Sequence, residues 1–231
     1  MNLRRIAVLS DVHANLEALE TVLSEVPDLE VLCLGDLVDY GANPNEVIRE
    51  MGRRAAVTIM GNHDQVAVSG DTSQFNPRAA MSSQWTRKQL TDESLGYLRA
   101  LPLEMRTSFG GVPAYFAHGS PDDRLWEYVD PRTHSDLLGH YLDKTKARVI
   151  GLGHTHIPYV WRDGERVVFN PGSVGQPRDG DWRASYAILC VDGSRVEVEI
   201  KRVRYDVEKA ASKIREAGLP GSHADRLLAG S

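Results

Sequence analysis

Short apolar runs that stop at a carboxylate or a glycine recur along the first part of the chain. Ile6 to Leu9 (IAVL) halts at Ser10-Asp11 and predicts a buried strand. Leu16, Leu19, Val22, Leu23 and Val26 then recur at helical spacing until Pro27 closes the segment. Val31 to Leu34 (VLCL), halting at Gly35-Asp36, predicts the next strand, and Asn43-Pro44 opens a helix carrying Val47, Ile48 and Met51. Ala56 to Met60 (AVTIM) predicts a third strand, which halts at Gly61-Asn62. This β-α-β-α-β alternation implies a parallel sheet with helices packed on it.

The pattern then changes. Residues 65–100 hold few β-branched runs; Thr72 to Pro77 is polar and loop-like, and Pro77 to Leu101 predicts two helices split near Thr91-Asp92. From Val112 onward strands dominate: VPAYFAH, RVIGLGH, IPYVWR, RVVFN, SYAILCV and RVEVEI, with turns such as Arg162-Asp163-Gly164 and Asp192-Gly193-Ser194 between them. These hairpins predict a second sheet with antiparallel character. A last helix near Asp206 to Ala217 ends at Gly218, and the tail after Pro220 is weakly specified.

Composition bounds the picture. The 231 residues can bury a sizeable core, and with neither repeat nor low-complexity linker they read as one domain, 1–231, with a helical insertion at about 65–100. A formal net charge of −5 supplies no basic footprint, so neither general nucleic-acid binding nor adhesion to an anionic membrane is expected. Cys33 and Cys190 sit in apolar, strand-like runs without CxxC spacing and read as buried free thiols. The N-terminal apolar run is too short for a signal peptide, and no stretch approaches the roughly 20 apolar residues of a membrane span. The default expectation is a reduced, cytoplasmic setting.

Every strong polar cluster follows a predicted strand. Ser10-Asp11-Val12-His13 follows the first, Gly35-Asp36-Leu37-Val38-Asp39 the second and Gly61-Asn62-His63-Asp64 the third; Ala117-His118-Gly119 and Gly153-His154-Thr155-His156 follow two later ones. The carboxyl ends of strands in an α/β sheet line one crevice, so five loops converge there. They bring carboxylates, an amide and imidazoles, a donor set that suits Mn, Fe, Zn or Ni and excludes a purely thiolate site. One centre needs three or four protein ligands. Seven candidates with shared oxygens fit two ions bridged by a carboxylate, spaced roughly 3.5–4 Å apart as phosphatases use them. Gly35, Gly61 and Gly153 would allow sharp turns and close backbone approach.

The order D-x-H, G-D-x-x-D, G-N-H-D, H, G-H-x-H resembles the calcineurin-like metallophosphoesterase superfamily, from Asp11 to His156. It is most similar to the small prokaryotic phosphodiesterase-like branch, as is the stretch Asn170 to Arg178 (NPGSVGQPR). The resemblance implies an α/β (α+β) fold, a four-layer sandwich of two mixed β-sheets flanked by helices, with the active site at the strand carboxyl ends. It also implies two divalent transition-metal ions, Mn first among them. Carried over by motif, Asp11, His13, Asp36 and His156 would hold one metal, and Asp36, Asn62, His118 and His154 the other, with Asp36 bridging. The implied activity is hydrolysis of a small phosphodiester or phosphomonoester, nucleotides included, by a metal-bridging hydroxide. His63 would face the substrate beside Asn62 and protonate the leaving oxygen or stabilise developing charge. Asp64 is expected to orient that imidazole; Asp39 reads either as orienting a ligand histidine or as a turn residue.

One departure narrows the substrate. Protein phosphatases and diadenosine tetraphosphate hydrolases of this superfamily carry an arginine after the second Asp of G-D-x-x-D, and here that residue is Tyr40. Protein phosphatase or dinucleoside polyphosphate hydrolase activity therefore ranks second, and a non-catalytic scaffold, like the retromer subunit that resembles this superfamily, third. Arg178, Arg124 or Arg183 could replace the missing guanidinium, the last two reading better as solvated surface charges. The 65–100 insertion reads either as a cap over a substrate pocket or as cover for a sheet edge. Trp126-Glu127-Tyr128 reads as core packing before an aromatic platform for a base.

Overall fold

A computed structural model describes residues 3–231. The strands β1 (Arg4–Leu9), β2 (Glu30–Cys33) and β3 (Ala55–Thr58) alternate with α1 (Leu16–Glu25) and α2 (Pro44–Arg54), as the apolar pattern requires. β1 pairs with β2 and β2 with β3, both parallel. The insertion forms α3 (Asn62–Ser69), α4 (Pro77–Gln89) and α5 (Asp92–Arg99). Asn76 caps α4 by accepting from the N–H groups of Arg78 and Ala79, and Thr91 caps α5 by accepting from Ser94. The remainder runs β4 (Glu104–Phe109), β5 (Val112–Ala117), α6 (Ser135–Thr145), β6 (Val149–Gly151), β7 (Tyr159–Asp163), β8 (Arg166–Asn170), β9 (Ala184–Asp192), β10 (Arg195–Val203), α7 (Val207–Glu216) and α8 (Gly221–Ala229).

Two five-stranded sheets result, ordered β10-β9-β1-β2-β3 and β4-β5-β6-β8-β7. The expectation that all strands after Val112 build the second sheet is corrected here. β9 and β10 return to the first sheet, where β9 runs antiparallel to β1. The cause is in their side chains. β9 is apolar on both faces, as a central strand must be, whereas β10 alternates Glu197, Glu199 and Lys201 and forms the charged edge. The second sheet is itself mixed, with β5-β6 and β6-β8 parallel and β4-β5 and β7-β8 antiparallel.

Alternation along β1 shows how the layers meet. Ile6 and Val8 point between the sheets, where they pack with Leu32, Phe116, Phe169 and Leu189. Ala7 and Leu9 point the other way, into the core under α1, α2, α7 and α8. A third apolar cluster, including Tyr115, Ile150 and Val168, lies under Leu138, Tyr141 and Leu142 of α6. The order is therefore helices, sheet, sheet, helix. In the insertion, α5 lies beside the β3 edge, with the Tyr97 hydroxyl 3.3 Å from Thr58 Oγ1. Both free cysteines lie on strands, Cys33 buried in β2 and Cys190 half-buried in β9. No helix among the described residues is long and apolar enough to cross a membrane.

Candidate metal centre

The loops that leave β1, β2 and β6 are held in conformations that L-residues avoid. Nine non-glycine residues among those described have positive φ, and eight belong to these loops: Asp11, His13, Ala14, Asp36, Asp39, Tyr40, His154 and His156. Each such residue costs on the order of 1–3 kcal/mol and persists only where its surroundings dictate it. Here the loops lock one another. Asp11 N–H donates to the Gly35 carbonyl at 3.0 Å, His13 N–H to Asp36 at 2.9 Å and Gly153 N–H to His118 at 2.8 Å. Gly35 itself has φ +97°, and a Cβ on Gly61 would fall 2.0 Å from Asp36 Oδ1. Both glycines let the second and third loops close on each other.

That backbone brings Asp11, His13, Asp36 and His156 into one buried cluster, and Asp36, His118 and His154 into a second. Asp36 belongs to both. Three imidazoles are aimed in the same way, through Nδ1: His13 to the Val38 carbonyl at 2.9 Å, His118 to Leu34 at 2.7 Å and His156 to Gln176 at 2.6 Å. Donation at Nδ1 leaves each Nε2 as a lone pair facing inward. His13 Nε2 and His156 Nε2 then meet at 3.1 Å, two acceptors with nothing between them unless a cation or proton intervenes. His154 is held from the other nitrogen, with Nε2 3.2 Å from the Trp126 carbonyl. Asn62 completes the group, its Oδ1 3.1 Å from His118 Nε2.

The carboxylates pass the same test. Both oxygens of Asp11 and Oδ2 of Asp36 are buried without a hydrogen-bond donor, an arrangement that costs several kcal/mol unless a positive charge sits against them. Asp36 Oδ2 lies 3.2 Å from His118 Nε2 and 3.6 Å from His13 Nε2. Burial alone would lower His118, but the Asp36 charge outweighs it and raises the imidazole to about 9. Burial pushes His13 and His156 down, and burial with the nearby His118 lowers His154 to about 3. Three of the four imidazoles, His13, His154 and His156, are thus held neutral, and with the undercoordinated carboxylates they fit divalent cations, whose binding at His118 would release its proton.

The carboxylate that orients His63 is not the expected one. Asp64 never reaches the imidazole; it accepts from the backbone N–H groups of Asp36 and Leu37, each at 2.8 Å, and Gly61 at 3.0 Å. It ties the second loop to the start of α3. Burial and the Asp36 charge push its carboxyl up to about 7 against those three donors. Asp39 takes the expected role, with Oδ2 2.7 Å from His63 Nδ1. The misassignment has a geometric cause: Asp64 follows His63 on a helix, where adjacent side chains diverge. Burial opposes the charge on His63, but Asp36 and Asp39 prevail and raise it.

The profile of the calcineurin-like phosphoesterase superfamily domain matches residues 5–194. The chain belongs to that superfamily. It is similar to an uncharacterised protein of Methanocaldococcus jannaschii, 36% identical over 97% of this chain and 98% of the relative. Among solved structures, a metallophosphoesterase from Sphaerobacter thermophilus is 38% identical and superposes with a TM-score of 0.86 over 100% of both chains. A hypothetical protein of Pyrococcus horikoshii, 21% identical, shares the fold at a TM-score of 0.88 over 98% of each chain. The two mixed sheets flanked by helices are the α/β sandwich of the metallophosphoesterases.

Against this calcineurin-like frame, the arginines separate cleanly. Arg124 pairs with Glu104 at 2.5 Å and Arg183 with Asp181 at 2.6 Å, both at the surface. Arg178 pairs with no carboxylate among the described residues. It is half-buried, its guanidinium bonds Gln176 Oε1 at 3.2 Å and lies 5.9 Å from the centre of the Tyr40 ring. Tyr40, in the place of the missing arginine, is packed between His13 and His223 and sets its hydroxyl 3.1 Å from His63 Nε2. Sequence spacing could not reveal that contact, which joins two different loops. In the insertion α5 covers the β3 edge, and the loop before α4 sets the Phe75 ring centroid 4.4 Å from that of His63.

Proposed function

We propose that the chain is a dinuclear metal-dependent phosphoesterase acting on a small phosphodiester, with phosphomonoesters as the second substrate class. The observation that carries this reading is the sharing of Asp36 by two buried ligand clusters. Asp11, His13, Asp36 and His156 would hold one cation and Asp36, Asn62, His118 and His154 the other, with manganese the first candidate and iron, zinc or nickel also suited to the donors. Two divalent cations bound there would supply Lewis acidity toward phosphoryl oxygens and lower the pKa of a bound water.

The chain's own residues do the rest. Arg178, without a carboxylate partner among the described residues, offers its guanidinium to the non-bridging oxygens. His63, fixed at Nδ1 by Asp39, delivers a proton from Nε2 to the leaving oxygen. The Tyr40 hydroxyl holds that same Nε2 in place. A His63 so firmly positioned favours an enzyme over a non-catalytic scaffold, and Tyr40 at the arginine position argues against phosphoproteins. Two unpaired cysteines are consistent with a reduced, cytoplasmic setting.

The decisive test compares bis-p-nitrophenyl phosphate with p-nitrophenyl phosphate, using chelator-stripped protein reloaded with Mn, Ni, Zn or Mg. The stripped protein is expected to be inactive, and turnover of the diester to return with a transition metal. Turnover of neither ester by protein holding two metal equivalents would defeat the proposal. Arg178→Gln should lower kcat/KM on the order of 10- to 100-fold, the worth of a charge-assisted pair, with metal content unchanged. An unaltered kcat/KM in that variant would return Arg178 to the surface charges.

A further inference from the structure

Three aromatic rings around the metal centre stand apart from the apolar interior. Phe75, Trp126 and Tyr128 belong to none of the three apolar cores. Phe75 and Trp126 are half-buried and Tyr128 is 64% exposed. Their neighbours are the site histidines and one another. Tyr128 lies 4.1 Å from the His154 ring, inclined by 34°. Phe75 lies 4.4 Å from His63 and meets Trp126 edge-on at 5.8 Å. The rings thus lie in a strip beside the centre, Phe75 and Trp126 in contact next to His63 and Tyr128, two residues beyond Trp126 in the same loop, next to His154.

The strip is built on a rigid base. The loop after β5 buries Leu125 and Val129 and turns Trp126 and Tyr128 outward between them. Asp123 accepts from the N–H groups of Leu125 and Trp126, each at 3.1 Å, and the Ser120 hydroxyl holds Glu127. The Trp126 carbonyl is itself the acceptor for His154. Phe75 arrives on a turn closed by its N–H on the Thr72 carbonyl at 3.0 Å. Fixed, exposed rings offer a large contact area at little cost in side-chain entropy. Rings of this kind favour flat partners, because every heteroaromatic base has a π-face to stack. A phosphate held at the cations and Arg178 would put its ester group against this surface.

We propose that the strip binds a planar heteroaromatic ring, so that the esters turned over at the adjacent centre are nucleoside phosphates rather than sugar or lipid phosphates. The proposal rests on the phosphoesterase reading, and the experiment separates the two. Methyl p-nitrophenyl phosphate and thymidine 5′-(p-nitrophenyl phosphate) release the same leaving group, so the ratio of their kcat/KM values reports the nucleoside alone. The wild-type ratio should favour the thymidine ester by at least about 10-fold, fall by about 10-fold in Tyr128→Ala and Trp126→Ala, and survive in Tyr128→Phe. Tyr128 is exposed enough for its truncation to leave the fold intact. A wild-type ratio near one, or a ratio unmoved in both alanine variants, overturns the strip and leaves the phosphoesterase standing.

Binding provides the second readout. Calorimetric titration of metal-loaded protein should show adenosine monophosphate binding more tightly than glycerol phosphate, with the preference lost in Tyr128→Ala. Equal affinities in the wild type would also overturn the strip. Turnover of neither ester, with the adenosine preference intact, would instead defeat the phosphoesterase reading and leave a nucleotide-binding site.

Discussion

Asp36→Asn is expected to lower metal-dependent turnover on the order of 1000-fold and to leave fewer than two metal equivalents per chain. Asparagine has almost the same shape, so the loops should still close. What changes is the chemistry at Oδ2, which has no donor of its own and lies within 3.6 Å of imidazole nitrogens from both clusters. An amide there either turns N–H groups toward the cations or supplies only a neutral oxygen. Oδ1 matters as well, because it accepts the His63 N–H at 2.9 Å and so anchors the start of α3. Asp11→Asn provides the control: Asp11 lies in one cluster alone and should cost one metal equivalent. Metal analysis of both purified variants beside their diester turnover decides it. An Asp36→Asn protein holding two equivalents at the wild-type rate would end the bridging assignment.

The parts read correctly from the sequence share a physical property: they are local. An apolar run that stops at a polar loop declares both a buried strand and its carboxyl end, so β1, β2 and β3 and the loops bearing Asp11, Asp36 and Asn62 could be placed from adjacent residues. Elements whose signals are weak or shared were missed. α3 begins inside Gly-Asn-His-Asp, so its first turn consists of residues that read as ligands rather than as helix. β4, an edge strand with a single fully buried residue, presents no apolar run. α6 interrupts a stretch whose pattern is otherwise that of strands, and α8 has no side-chain cap. Long-range partners lay further out of reach. Nothing near Tyr186 or Ile188 indicates that β9 will pair with β1 rather than with its sequence neighbours. Likewise Asp39 meets His63 only because two loops fold over each other, so proximity in sequence pointed to Asp64 instead.

His63→Ala is expected to reduce diester turnover by on the order of 100- to 10,000-fold while leaving metal content at the wild-type level. The two effects should separate because His63 lies outside both ligand clusters, tied to Asp39 through Nδ1 and to Tyr40 through Nε2. A proton donor matters most when the departing alkoxide is strongly basic. The loss should therefore be larger for an ester with an alkyl or nucleoside leaving group than for one releasing p-nitrophenolate, and a purely structural defect would lower both alike. The pH profile carries the same information. Burial opposes the charge, but Asp36 and Asp39 outweigh it and hold the imidazole above its usual range, so activity that needs the proton is lost as pH rises through that raised value. This alkaline limb should vanish in His63→Ala. Asp39→Asn should shift it to lower pH, because the remaining amide no longer stabilises the imidazolium. Equal losses on good and poor leaving groups, with the alkaline limb retained, would show that His63 shapes the site without donating a proton.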